Sequence, residues 1–72
     1  MQYSVQFFTW TRQLGVHQVG KTVEIEALNP RTAAISLLGV RLEETGSTTK
    51  LAARVWQPAS DSQSDCICFY YH

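Results

Sequence analysis

Two stretches of this 72-residue chain carry residue types that do chemistry: Gly15-Val16-His17-Gln18-Val19-Gly20-Lys21-Thr22, and Cys66-Ile67-Cys68 followed by Tyr70 and His72. The first matches G-x-x-x-x-G-K-[ST] residue for residue. A phosphate loop of that form works when a strand precedes it and a helix opens at the lysine. Backbone N–H groups and the helix N-terminus then meet the phosphates. Here the lysine runs into Val23-Glu24-Ile25-Glu26, whose polarity alternates with a period of two. Any helix starting at Lys21 would meet Pro30 within about two turns. No later apolar run ends in an Asp that would serve a magnesium ion. The string therefore reads as polypeptide leading into a strand, and nucleotide binding is not expected of it.

On a strand, Cys66, Cys68, Tyr70 and His72 fall on one face. Together with His17 they would offer soft ligands for zinc, whose structural sites take four. The spacing C-x-C-x₃-H is not the C-x₂-C of such sites, and Tyr70 interrupts the set. No metal or cofactor is expected. Two cysteines are too few for a disulfide framework. At i and i+2 on a strand their Cα atoms are about 7 Å apart, beyond easy disulfide reach. Reduced, largely buried thiols are the expectation. As a nucleophile, either cysteine would have only His17 or His72 as a base, with no orienting third group. No catalytic residue is assigned, and the chain reads as non-enzymatic.

The aromatic residues say more. Phe8 and Trp10 alternate with Val5 and Phe7, so they face the opposite side of their strand. Arg54 and Trp56 stand in the same relation to Val55. Phe8, Trp10, Arg54 and Trp56 are thus expected on one exposed sheet face, among polar Gln6, Glu24 and Glu26. Trp, Phe and Arg are enriched at the centres of contacts, and an exposed patch of this kind marks a partner site. The expected function is a small non-catalytic module that binds a protein partner or self-associates, as in a homodimer. The alternative is single-stranded nucleic acid, whose bases stack on such rings. Glu24, Glu26 and the zero net charge oppose phosphate. The competing use of the rings is structural: folding over the sheet to thicken a thin core.

The elements that must position these residues follow from pattern. Residues 3–10 are β-branched and aromatic and read as a strand. Residues 11–20, with Gly15 and Gly20, read as a loop or long hairpin connection. Residues 21–28 alternate, with Val23, Ile25 and Ala27 inward. Asn29-Pro30 is a helix start, Asn as cap and Pro at the first helical position. The helix covers 30–38. Gly39 either stops it or lies inside it, and the spacing of Ile35, Leu38 and Leu42 favours continuation to about Glu44. If Gly39 is the stop, 40–43 is a short strand. Residues 45–50 form a turn. Residues 51–57 form a strand with Leu51, Ala53 and Val55 on one face. Residues 58–65 are expected to be a flexible polar loop. Residues 66–71 form a last strand, apolar on both faces and so central or covered twice.

This order, β-β-α-β-β, makes an α+β domain with one helix on one face of a mostly antiparallel four-stranded sheet. The stretch Gly20-Lys21-Thr22-Val23-Glu24-Ile25-Glu26-Ala27-Leu28-Asn29-Pro30 resembles the hairpin-to-helix passage of the ubiquitin-like β-grasp. The resemblance spans about a sixth of the chain and implies a topology, with no function attached.

The totals bound the rest. At 72 residues one domain, 1–72, is expected, and a chain of this size buries only about 60% of its unfolded surface. Six Lys+Arg balance six Asp+Glu, without the basic stripe of a phosphate-neutralising protein. No apolar run approaches the ~20 residues of a membrane helix. Met1-Gln2-Tyr3-Ser4 has no basic n-region or apolar h-region, so a cytoplasmic location is expected.

Overall fold

The computed structural model describes residues 1–58 and 66–72, so the flexible loop expected over 58–65 lies, Pro58 apart, outside the described residues. Its elements are β1 (Gln2–Thr11), β2 (Gly15–Glu26), α1 (Pro30–Leu38), β3 (Leu42–Glu43), a 3-10 turn (Thr48–Lys50), β4 (Leu51–Trp56) and β5 (Ile67–Tyr71). The five strands form one sheet in the order β2-β1-β4-β5-β3, every neighbouring pair antiparallel. The class is α+β, as expected; among the described residues there is one helix, and the sheet has five strands rather than four. The hairpin-to-helix passage is present. The strand on the other side of β1 is β4, and it runs antiparallel to β1.

The helix starts where Asn29 predicts. Its side-chain Oδ1 accepts the Thr32 N–H at 2.8 Å, and Pro30 occupies the first turn. Replacing Asn29 by Ala should lower stability by about 1 kcal/mol. An unchanged denaturation midpoint would show that this cap contributes nothing. The helix does not continue to Glu44. Gly39 takes φ 70°, and its N–H donates to Ile35 O at 2.7 Å. A left-handed glycine of this kind is a helix stop. It turns Leu42 into β3, where the side chain is fully buried.

Residues 15–20, expected as loop, are the first half of β2. A three-residue connection, 12–14, joins β1 to it, and Gly15 takes a left-handed φ of 69° directly after. Leu14 N–H is satisfied by Thr11 Oγ1 at 3.1 Å. The register shifts between Val5 and Phe7, which pair with Val23 and Val19, so Gly20-Lys21-Thr22 bulges opposite Gln6 alone. Gly20, at φ 71°, supplies the backbone conformation this bulge uses.

The core lies between α1 and the sheet. It consists of Tyr3, Val5, Ala33, Ala34, Leu42, Ala52, Ala53, Val55 and Phe69, with Phe7, Ile25, Ala27, Ile35 and Leu38 packed around it. Four of the nine are alanines, so few large side chains carry the burial: Phe69, Leu42, Val5 and Val55 are the largest that are fully enclosed. Leu51 does not join them on the helix side. It pairs with Tyr70, whereas Ala53 pairs with Phe69, so β4 carries one extra residue at Ala52. That bulge reverses the alternation and sends Leu51 to the face of Tyr70. Val23, also expected inward, remains 36% exposed because it sits on edge strand β2.

Candidate interaction face

Register fixes which side chains share the face away from α1, because directly paired residues point to the same side. Across the sheet, Glu24, Ser4 and Trp56 form one row. Gln6, Arg54 and Cys68 form the next. Further along, Phe8 pairs with Gln18, and Trp10 with Val16. Phe8, Trp10, Arg54 and Trp56 therefore lie on one face. They are not one compact patch. Phe8 and Trp10 stand toward the hairpin tip, and Arg54 and Trp56 toward the other end. From the level of Trp56, opposite Ser4, to Trp10 is six residues of β1, about 20 Å. Trp10 is 46% exposed, while Phe8, Arg54 and Trp56 are half-buried. Glu24 shares the face and is exposed, as is Glu26.

One end of this face is not open. The chain leaves β3 on the far side of β5 and must return to β4, crossing β5 on the way. Gly46 makes the crossing over Tyr70. A Cβ built on Gly46 would stand 2.9 Å from Tyr70 Cβ and 3.0 Å from its Cγ. The absence of a side chain at residue 46 lets this crossing lie flat on the sheet. Nothing in the local composition beyond a Gly in a polar turn signals that contact.

Cys66 and Cys68 are half-buried rather than enclosed. Cys68 pairs in register with Arg54 on the face away from α1, outside the core that the helix packs. Arg54 Nη2 donates to Cys66 Sγ at 3.2 Å, and Arg54 pairs across the ladder with Cys68. That bond to Cys66 raises the Arg54 pKa, partly offset by burial. Burial pushes the Cys68 thiol above its ordinary range, neighbouring Cys66 adds to the rise, and the Arg54 guanidinium pulls it back. A raised folded-state pKa means the folded state holds Cys68 as the thiol. Its contribution to stability is present at neutral pH and is lost as pH climbs through the raised value. Cys68 in the folded protein should react with iodoacetamide more slowly than in urea, because the thiolate is the nucleophile. Equal rates, read by mass spectrometry of the labelled peptide, would show that the sheet gives no protection.

The remaining weighed residues do not converge. His72 Nδ1 lies 3.2 Å from Glu43 Oε1, at the β3 edge. His17 Nδ1 lies 3.1 Å from the Gly15 carbonyl oxygen, in β2. Neither joins the cysteines, and among the described residues no group of three or more His, Cys, Asp or Glu is placed to hold a metal. The string Gly15–Thr22 lies wholly within β2, and the helix begins nine residues after Lys21, at Pro30. Among the described residues no helix is long and apolar enough to cross a membrane. Comparison of the chain with protein-family models, curated proteins and solved structures gives no match.

Proposed function

We propose that this chain is a non-catalytic interaction module that associates through the sheet face away from α1, with a second copy of itself as the occupant. One observation carries the reading: among the described residues a single nine-residue helix packs on one face of a five-stranded sheet, and the face away from it carries Trp10, Phe8, Trp56 and Arg54. The scale supports it. The molecule measures 35 × 24 × 20 Å, and its broad face is comparable with the roughly 800 Å² each partner contributes to a standard interface. Six positive and six negative side chains leave two copies with no net repulsion. Burying apolar ring area is worth about 25 cal/mol per Å², and Trp and Arg are the anchors most often found at contact centres.

Sedimentation equilibrium over a wide concentration range tests this. The wild type should dimerise, and Trp10→Ala and Trp56→Ala should each weaken the dimer by tenfold or more, the ~1.4 kcal/mol scale of a contact anchor. A monomer at every concentration overturns self-association, and a dimer indifferent to both substitutions overturns the face. Single-stranded nucleic acid is the competing occupant, favoured by the same rings with Arg54. A salt-sensitive gel shift with short oligonucleotides would move the assignment there.

A further inference from the structure

We propose that Cys66, Cys68 and Arg54 form a two-coordinate site for a soft monovalent cation, Cu(I) in chemical class, on the sheet face away from the helix. The spacing is the first argument. Cys66 directly precedes β5 and Cys68 lies within it; in extended chain, residues two apart place their Cα atoms about 7 Å apart, while a disulfide needs Cβ atoms at about 3.5–4.5 Å. A metal between two sulfurs relaxes that demand. Two bonds of about 2.3 Å, the zinc–thiolate length taken as a scale, span about 4.6 Å between the sulfurs. The spacing that resists a disulfide suits a metal bridge.

Coordination number is the second argument. Zinc asks for four ligands in a structural site. The described residues bring no third His, Cys, Asp or Glu to these thiols, whereas a digonal thiolate complex is complete with two. Thiolates also select soft ions over hard ones.

Charge is the third. Binding converts two thiols to thiolates, Cu⁺ + 2 RSH → [Cu(SR)₂]⁻ + 2 H⁺, with no change of oxidation state. The product carries one negative charge on a half-buried sheet face. The Arg54 guanidinium offsets it, already 3.2 Å from Cys66 Sγ and paired in register with Cys68. Because both protons must leave, affinity rises with pH.

The test uses the full chain, reduced and anaerobic, titrated with Cu(I) in acetonitrile and, separately, with Ag(I) as a redox-stable probe. Native mass spectrometry should show one metal per chain with a mass deficit of two protons. Cys66→Ser and Cys68→Ser should each remove that complex. Arg54→Gln, with both sulfurs kept, should weaken it by about tenfold through loss of the compensating charge. Far-UV circular dichroism of each variant separates lost binding from lost fold. Binding that survives Cys68→Ser overturns the site, as does a metal shared between two chains. Equal affinity in wild type, Arg54→Gln and the urea-unfolded chain also overturns it, since any C-x-C peptide would then do the same.

Discussion

Phe69→Ala should cost about 3–5 kcal/mol of folding free energy, the cost of emptying a fully enclosed aromatic site. Phe69 is 1% exposed and is the largest fully buried side chain. It sits on β5 opposite Ala53, in the middle of a core that is otherwise largely alanine and valine. Those small neighbours have little side chain with which to refill the space, which places the cost toward the upper end. A domain of 72 residues has about 4–11 kcal/mol in total at 0.05–0.15 kcal/mol per residue. This one substitution thus removes about a quarter of the stability or more, and at the low end of that range it removes essentially all of it. Urea denaturation followed by circular dichroism measures it. A loss under 1 kcal/mol would mean that the helix is not packed over Phe69.

Gly46→Val should cost about 1–3 kcal/mol by overpacking. The atoms a new Cβ meets are Tyr70 Cβ and Cγ. These are the near end of the ring and cannot swing aside without moving β5, which is held between β4 and β3 at that level. Gly46→Ala should lie at the low end of the range. Adding Tyr70→Ala to Gly46→Val should restore part of the loss, and the double-mutant cycle isolates the clash from any backbone effect at residue 46. Strict additivity would show that the crossing segment does not rest on Tyr70.

The parts of this fold that were legible in sequence are those where one residue type has one structural use. Asn29-Pro30 caps a helix, and Val5 against Phe8 shows which way β1 faces. The failures have physical causes. Residues 15–20 read as loop because glycines bracket them, yet β2 forms there because β1 supplies the ladder. That half of the hairpin buries little, so it carries no amphipathic signal. The helical spacing of Leu42 predicts a helix running past Gly39, but the same leucine serves a strand pair with Tyr71. Parity along β4 predicts Leu51 inward, but one bulge at Ala52, which no composition announces, sends it to the other face. The aromatic residues were placed on their shared face by parity alone. Their spread along one diagonal of about 20 Å needs the register. The approach of Arg54 to Cys66 was invisible because the two lie 12 positions apart on different strands.

The chain's two tryptophans, Trp10 and Trp56, both lie on the face away from α1. Their fluorescence therefore reports on that face alone. Acrylamide quenching of tryptophan emission, followed as protein concentration is raised through the association range, tests the central claim most directly. Quenching should fall and emission should move to shorter wavelength as dimer forms, because the partner displaces water from both indoles. A dimer, shown by sedimentation on the same samples, in which both indoles stay as quenchable as in the monomer would contradict the account.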